Sequence, residues 1–583
     1  MSLVSIILIS AAILTIAYFT YGRLLARLFR LDPNAVTPAY ELRDNVDYEP
    51  IEPKFLMSQH FSAIAAAGPI VGPIAAGLLF GWLPALLWIL FGAIFIGGVH
   101  DMAALTASVR HKATSIAEVV REHMSHRSYL LFLTFVWIAL VYIIVAFTDV
   151  TTASFVGRQD LGAGIMVDGA AVASSSLLYL VLPLVMGLLL RYTKLSLNWA
   201  TVIFLPLVAV TIYAGPYIPF DVQSLFGLSQ SSAQDVWDVA LLIYCLIAAV
   251  VPVWLLLQPR GHLGGYFLYV ALGGGIVGLL LSNPTIQYPQ FTGWVSPKGP
   301  TLFPFLFITI ACGACSGFHS LIASGTTSKQ LRRETDARVI GYGTMLMEAM
   351  VAIISLSCVM IWAQGSPQLN AGPQVIYAEG MGEYLKALHV PPQWAISFAL
   401  MAFTTFVYDT LDVCTRLGRY IIQELTGFSG HVGRWLGTGL TAGVPLYFLL
   451  QPPQLDINGA PVPLYRVFWN LFGASNQLLA ALTLLGVTVW LWRTRREMWV
   501  WFVTGIPTVL MYTMSTWALY SLTMGEFIKA RNTGLQYPTN PVPYVGLVLL
   551  LLAAWMLVEA IIVLIGPSSR RQPPQPQPVA ATA

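Results

Sequence analysis

Residues 308–327 read ITIACGACSGFHSLIASGTT. The stretch sits inside a long apolar region, yet Gly313, Ala314, Ser316 and Gly317 interrupt it. His319 follows at once, and Cys312 and Cys315 stand three apart. Glycine weakens a helix, and small residues let neighbouring backbone approach closely. A titratable side chain at bilayer depth is costly and points to function. The stretch therefore predicts a membrane helix that opens at its middle.

A second interrupted segment, HFSAIAAAGPIVGPIAAGLLFG, covers 60–81. Gly68-Pro69 and Gly72-Pro73 fall near its centre, and each proline removes a backbone donor and clashes with the preceding turn. Backbone freed in this way survives within a membrane only when buried in protein or lining a wet cavity.

The remainder of the chain sets these two segments in context. It has 583 residues, 57% hydrophobic and 10% charged, with mean hydropathy +0.71. Soluble domains carry about 25% charged residues. Apolar runs long enough to cross roughly 30 Å of hydrocarbon recur about fifteen times. The expected fold is an all-α polytopic membrane protein in contact with lipid. Net charge of +3 is uninformative, and nothing suggests nucleic-acid binding. The cysteines Cys245, Cys312, Cys315, Cys358 and Cys414 lie in or beside apolar segments, which argues against a disulfide framework. The apolar run Ser5–Tyr21 is followed by Arg23, Arg27 and Arg30. It reads as an uncleaved first span.

Basic residues cluster in alternate loops, among them Arg110, Lys112, Arg191, Arg260, Lys329, Arg332, Arg416, Arg419 and Arg493. The positive-inside rule then places the N-terminus outside and the C-terminus in the cytoplasm. The expected division is 1–59, a first span and a polar cytoplasmic segment; 60–214, five helices; 215–300, two helices; 302–492, five helices; 498–566, two helices; and 567–583, a disordered Pro/Gln-rich tail. Residues 412–427 read as a short amphipathic helix on the inner surface. By this topology the broken segments run in opposite directions. Corresponding broken helices in two inverted halves mark a secondary-transporter site.

Several long motifs resemble the carbon starvation protein A (CstA) family. They are TPAYELRDNVDYEP (37–50), HFSAIAAAGPIVGPIAA (60–76), GGVHDMAALTASVRHKATSIAEV (97–119), IACGACSGFHSLIASGTTSKQLRRETDARVIGYGTMLMEA (310–349), TLDVCTRLGRYIIQEL (410–425) and WNLFGASNQLLAALTLL (469–485). The resemblance implies a bacterial inner-membrane importer used in carbon starvation, linked to peptides and pyruvate and driven by protons. It also implies a place in the amino acid–polyamine–organocation superfamily, with a LeuT-type five-plus-five inverted repeat and extra helices.

The candidate substrate site lies between Ala67, Gly68, Pro69, Gly72 and Pro73 on one break and Gly313, Ala314, Ser316, Gly317 and His319 on the other. Half-helix N-terminal ends favour a carboxylate, and freed carbonyls favour cations. His319 can take a coupling proton or bind a carboxylate; equally, it can be a neutral histidine bonded to a freed carbonyl. Glu348 is a proton-site candidate or a structural pair. Asp409 and Asp412, with Thr404 and Thr405 nearby, offer a sodium or proton site, or else pair with Arg416 or Arg419. His60, His100 and Asp101 suggest an inner gate or a polar network. Cys312, Cys315 and His319 form an incomplete metal set, so no metal and no cofactor is expected, with a proton or sodium as coupling ion. Asn476 and Gln477 are expected to bond across helices.

The sequence points to a symporter for a small carboxylate-bearing nutrient. The alternative is a membrane sensor of the same metabolite, which the lack of a sizeable soluble signalling segment disfavours. No catalytic motif is complete, so an enzyme is not expected.

Overall fold

A computed structural model of the chain describes residues 2–160, 166–296, 299–428, 430–452, 454–455, 461–534, 537–538 and 540–566. The expected tail, 567–583, lies outside them.

The chain opens with α1 (Leu3–Phe19), α2 (Tyr21–Leu28) and the short α3 (Pro38–Glu41). The first broken span follows as α4 (Pro53–Ile64) and α5 (Gly68–Phe80), bent by 46°. Next come α6 (Trp82–Gly92), α7 (Gly98–Arg110), α8 (Ile116–His123), α9 (His126–Ala153), α10 (Gly169–Tyr192) and α11 (Leu197–Ala214). Then come α12 (Val222–Phe226), α13 (Gln230–Val250) and α14 (Leu257–Ser282). The second broken span is α15 (Leu302–Thr309) and α16 (Gly317–Ile322), continued by a π-helical turn, Ala323–Thr327. After it come α17 (Thr344–Met360), α18 (Pro373–Lys386), α19 (Pro392–Thr426), α20 (Gly430–Leu449), α21 (Leu464–Arg495), α22 (Ile506–Asn532) and α23 (Val542–Ile565). Two antiparallel hairpins occur in loops, Arg158–Asp160 with Met166–Asp168 and Gln454–Leu455 with Pro461–Val462.

The protein is a nearly all-helical membrane fold. Among the described residues, eleven helices are long and apolar enough to cross a membrane, or twelve counting the bent α4–α5 pair. The expected count of about fifteen is thus not reached by this measure. The other three expected segments fall on α15–α16, α20 and α22. The first is too broken to qualify, and the others carry many Thr, Ser and Gly.

Burial sorts centre from periphery. All of the apolar window of α21 is buried, as is 94% of that spanning α17, against 22% for α23 and 33% for α1. Around the breaks, α17 packs on α5, α14 lies along α4 and α19, and α21 lies along α15, α16 and α9.

The expected surface helix at 412–427 is corrected by this arrangement. It is the last part of α19, which runs 35 residues without interruption, about 52 Å at 1.5 Å per residue. That length overshoots the hydrocarbon, but protein covers the excess. Arg416 and Arg419 are buried, and Asp47 of the polar segment before α4 accepts from Arg416 Nη1 at 2.9 Å and faces Arg419 at 3.3 Å. Burial opposes ionisation of Asp47, but Arg416, Arg419 and Lys329 outweigh it and bring its pKa down to about 2. The charged stripe that looked like a solvent face is an interior clasp.

Candidate functional site

The two breaks meet. A Cβ on Gly68 would overlap the Cys312 side chain, and one on Gly72 would overlap the Thr309 carbonyl. These glycines exist for close approach of backbone. The first break is short. Ala65 leaves the helix at φ −80°, ψ 54°, Gly68-Pro69 opens α5, and Pro73 sits within it. In the second break, residues 310–316 turn through Gly313, whose φ is +34°, and an added Cβ there would overlap Ala352.

Helix α21 satisfies the groups the second break frees. Gln477 Nε2 donates to the carbonyls of Phe307 (2.9 Å) and Ile310 (3.3 Å), which end α15. Asn476 Oδ1 accepts from the Phe318 amide at 2.8 Å, while its Nδ2 donates to Ser316 Oγ at 3.0 Å. Open backbone in a dry interior requires such partners. The expected cross-helix role of both amides is therefore met at the break itself.

His319 lies one turn into the segment that follows the break and is fully buried. Its Nδ1 is 2.8 Å from Asp101 Oδ2 on α7, and its Nε2 is 3.1 Å from Glu348 Oε2 on α17. Asp101 also meets His100 Nδ1 at 2.8 Å. Glu348 Oε1 accepts from the Gly313 amide at 3.3 Å. An imidazole facing a carboxylate on each side needs both nitrogens protonated, or else one acid protonated. Either way the trio shares a proton, and one of its members is bonded directly to the break. Sequence named all three residues but did not join them.

Cys312, His319 and Glu348 place a ligand atom each within 4.8 Å of one another, as do His111, Glu122 and His123 near α8. The first group replaces the expected Cys315 with Glu348.

A second charged cluster lies beside α4. Arg260 Nε meets Asp409 Oδ1 at 2.7 Å, and Arg260 Nη1 pairs with Asp412 Oδ2. Ser62 Oγ donates to Asp409, and Tyr244 OH donates to Asp412 at 2.7 Å. The expected partners Arg416 and Arg419 are instead taken by Asp47. Arg260 was assigned to a loop because basic residues mark loops, yet it stands in the first turn of α14 and is 1% exposed. A signal existed in the glycines that follow it. A Cβ on Gly264 would overlap the Asp409 carboxylate, and one on Gly265 the Ser58 backbone. Helix α14 is built to lie against α4 and α19.

The remaining candidates separate. His60 Nδ1 bonds Thr327 Oγ1 at 2.8 Å rather than joining His100 and Asp101. Thr410 donates to the Ala63 carbonyl at 3.3 Å. Thr404 bonds carbonyls of its own helix, Leu400 and Met401. The expected role of Thr405 falls on a side chain outside the described residues. Beside Arg260 a cavity is lined by residues of α4, α14, α19 and the turn after α16. It offers about 10 Å³ to water centres, roughly one water.

The sequence model of the family described as "Carbon starvation protein CstA" matches residues 2–376 and 363–518. The pyruvate/proton symporter BtsT of Escherichia coli K12 is 30% identical, over 88% of this chain and 81% of its own. The peptide transporter CstA of Helicobacter pylori 26695 is 31% identical, over 88% and 80%. That of Bacillus subtilis 168 is 29% identical, over 94% and 95%. Among solved structures, a manganese transporter mutant of Eremococcus coleocola aligns over 90% of this chain and 98% of its own, with 15% identity and a TM-score of 0.46. MhsT in complex with L-phenylalanine aligns over 88% and 97%, with 11% identity and a TM-score of 0.43. With its family match running over nearly the whole membrane region, the chain belongs to the carbon starvation protein CstA family.

Proposed function

We propose that the protein imports a small carboxylate-bearing nutrient, pyruvate or a short peptide, across a bacterial inner membrane in symport with a proton. The observation that carries this is the buried Asp101–His319–Glu348 trio, tied through Glu348 to the Gly313 amide of the break. Loss or gain of the shared proton changes what the break is bonded to, so proton and backbone conformation are coupled. The substrate lies between Ala67–Pro73 and Gly313–Gly317, and one bundle rocks against the other to expose it on each side. The relatives named as a pyruvate/proton symporter and as peptide transporters support both substrate classes. The charge pattern supports an outside N-terminus and a cytoplasmic C-terminus.

The breaks are closed over one another, and the nearby cavity holds about one water. The test is accumulation of labelled pyruvate and of dialanine in proteoliposomes, under an imposed pH gradient and then under a sodium gradient. Accumulation driven by pH is expected. Accumulation driven by sodium alone would refute proton coupling, and none under either gradient would refute the importer.

A further inference from the structure

We propose that Arg260 is the group that binds the transported carboxylate on the inner half of the route, with Asp409 and Asp412 occupying its guanidinium until a proton releases one of them. This rests on the importer reading and adds to it a substrate-binding residue outside the two breaks.

The first support is charge. One guanidinium is shared by two buried carboxylates, 4% and 3% exposed. Arg416, which reaches Asp412 electrostatically, shares Asp47 with Arg419 and balances the second aspartate only from a distance, so two carboxylates compete for the one guanidinium they touch. That competition is relieved when one aspartate is protonated. The guanidinium then has a face to offer, and it is planar and donates in a fork that suits a carboxylate. A pyruvate anion, or the C-terminus of a peptide, replaces a side-chain carboxylate like for like.

The second support is place. The cluster borders the cavity described above, and every wall of that cavity belongs to an element that meets a break or packs on one. Gln59, His60 and Ala63 come from α4, Thr326 and Thr327 from the turn after α16, and Asp409 and Asp412 from α19. By the charge topology these are the inner ends of both broken spans. If α4 separates from α14, the cavity widens where Arg260 waits.

The third support is the proton's course. His60 lines the cavity beside Asp409, bonds Thr327, and lies within electrostatic reach of Asp101 and His319. It thus neighbours both the trio and the cavity that the aspartates line. A proton entering at the trio can leave through Asp409 or Asp412. When substrate departs, that aspartate returns to Arg260 and gives up its proton to the inside.

The groups facing the cluster are few. Helix α4 contributes Ser62 and His60, α10 contributes Tyr179, and α13 contributes Tyr244 and Cys245. Within α19, Cys414 and Arg416 reach Asp412 electrostatically, and Arg416 is itself paired with Asp47.

The test uses the full-length protein in liposomes, with equilibrium binding of pyruvate and of dialanine at pH 6 and pH 8, counterflow exchange, and pH-driven accumulation. Wild type is expected to bind more tightly at pH 6. At least one of Asp409→Asn and Asp412→Asn should bind at pH 8 as wild type does at pH 6, exchange substrate and fail to accumulate it. Arg260→Gln should weaken binding about 100-fold at both pH values. Arg260→Lys, which keeps the charge without the fork, serves if the glutamine variant does not fold, and should weaken binding about tenfold. The proposal is overturned if wild type accumulates substrate while a folded Arg260 variant binds within threefold of it. It is also overturned if both Asn variants keep the wild-type pH dependence. A wild type that accumulates neither compound instead overturns the importer reading, and this inference falls with it. A loss seen with dialanine alone supports Arg260 as the anchor and makes the peptide the substrate.

Discussion

Glu348 and Asp409 both meet a cationic or titratable partner in the interior, but they should fail differently. Glu348→Gln keeps a group able to accept from the Gly313 amide, yet it cannot carry a charge. It is expected to lower pH-driven accumulation at least tenfold while counterflow exchange and pH-dependent binding persist. Retained accumulation in that variant would remove Glu348 from the coupling route. Asn476→Ala tests the break itself, because it strips a partner from the Phe318 amide and from Ser316. An unpaired buried amide costs about 1–3 kcal/mol, so a lower unfolding temperature is expected, and an unchanged one would show that the break repacks. At this scale the sequence was informative about which residues are unusual and poor at pairing them. Asp101, His319 and Glu348 could each be picked out as costly in a membrane. Their meeting depends on how α7, α16 and α17 cross, which no local pattern encodes. Arg260 was hidden for the opposite reason, since a basic residue at the edge of an apolar run looks like a topology marker.

The elements carry two more consequences. Gly317 has α21 backbone against it, so a Cβ would overlap the Asn476 carbonyl and the Ala480 amide. Backbone cannot swing aside, and Gly317→Ala should abolish transport with expression retained. Gly273→Ala, where a Cβ meets nothing within 4 Å, is the control and should be neutral. Transport intact in the Gly317 variant would show that the break does not need this approach. Helix α8 supplies a pH effect away from the site. His123 is lowered to about 3 by burial first, then by His111 and the charge of Arg493. The folded protein thus refuses a proton that the unfolded chain accepts below about 6.5. Stability from this source is complete above that pH and declines as pH falls toward 3, by at most about 2 kcal/mol at pH 5. His123→Gln should shrink the loss of thermal stability between pH 7.5 and pH 5, and an equal loss in both proteins would refute this. Helix positions were legible because apolar length alone reveals a span. The fate of 412–427 was not, because an amphipathic stripe facing a buried Asp47 has the same period as one facing water.

At the scale of the whole molecule, two helices stand in matching places beside the two broken spans. Helix α21 lies along the second broken span, along α9 and along the short α8. Helix α14 lies along α4 of the first broken span, along α19 and along the short α18. The two sets match if α9 corresponds to α19, α8 to α18 and α14 to α21. It is α14 that stands beside the first broken span as α21 stands beside the second. Sequence could count spans but not say which lie side by side, because neighbours are set by tertiary packing rather than by hydropathy. This correspondence makes α14 and α21 the helices that serve the two breaks, one with Arg260 and the other with Asn476 and Gln477. It also predicts how access alternates. All five cysteines are buried, so a cysteine placed at Ser231 or Gln59 can report access. The Ser231 variant should react with an impermeant maleimide from outside intact cells, since Ser231 opens α13 after a loop that carries no Lys or Arg. The Gln59 variant lines the small cavity beside Arg260 and should react only in inside-out vesicles. Its rate there should rise when pyruvate and low pH open the route beside α14. Labelling of the Gln59 variant from outside would reverse the orientation. A rate from inside that ignores substrate and pH would mean that α4 does not part from α14 during transport.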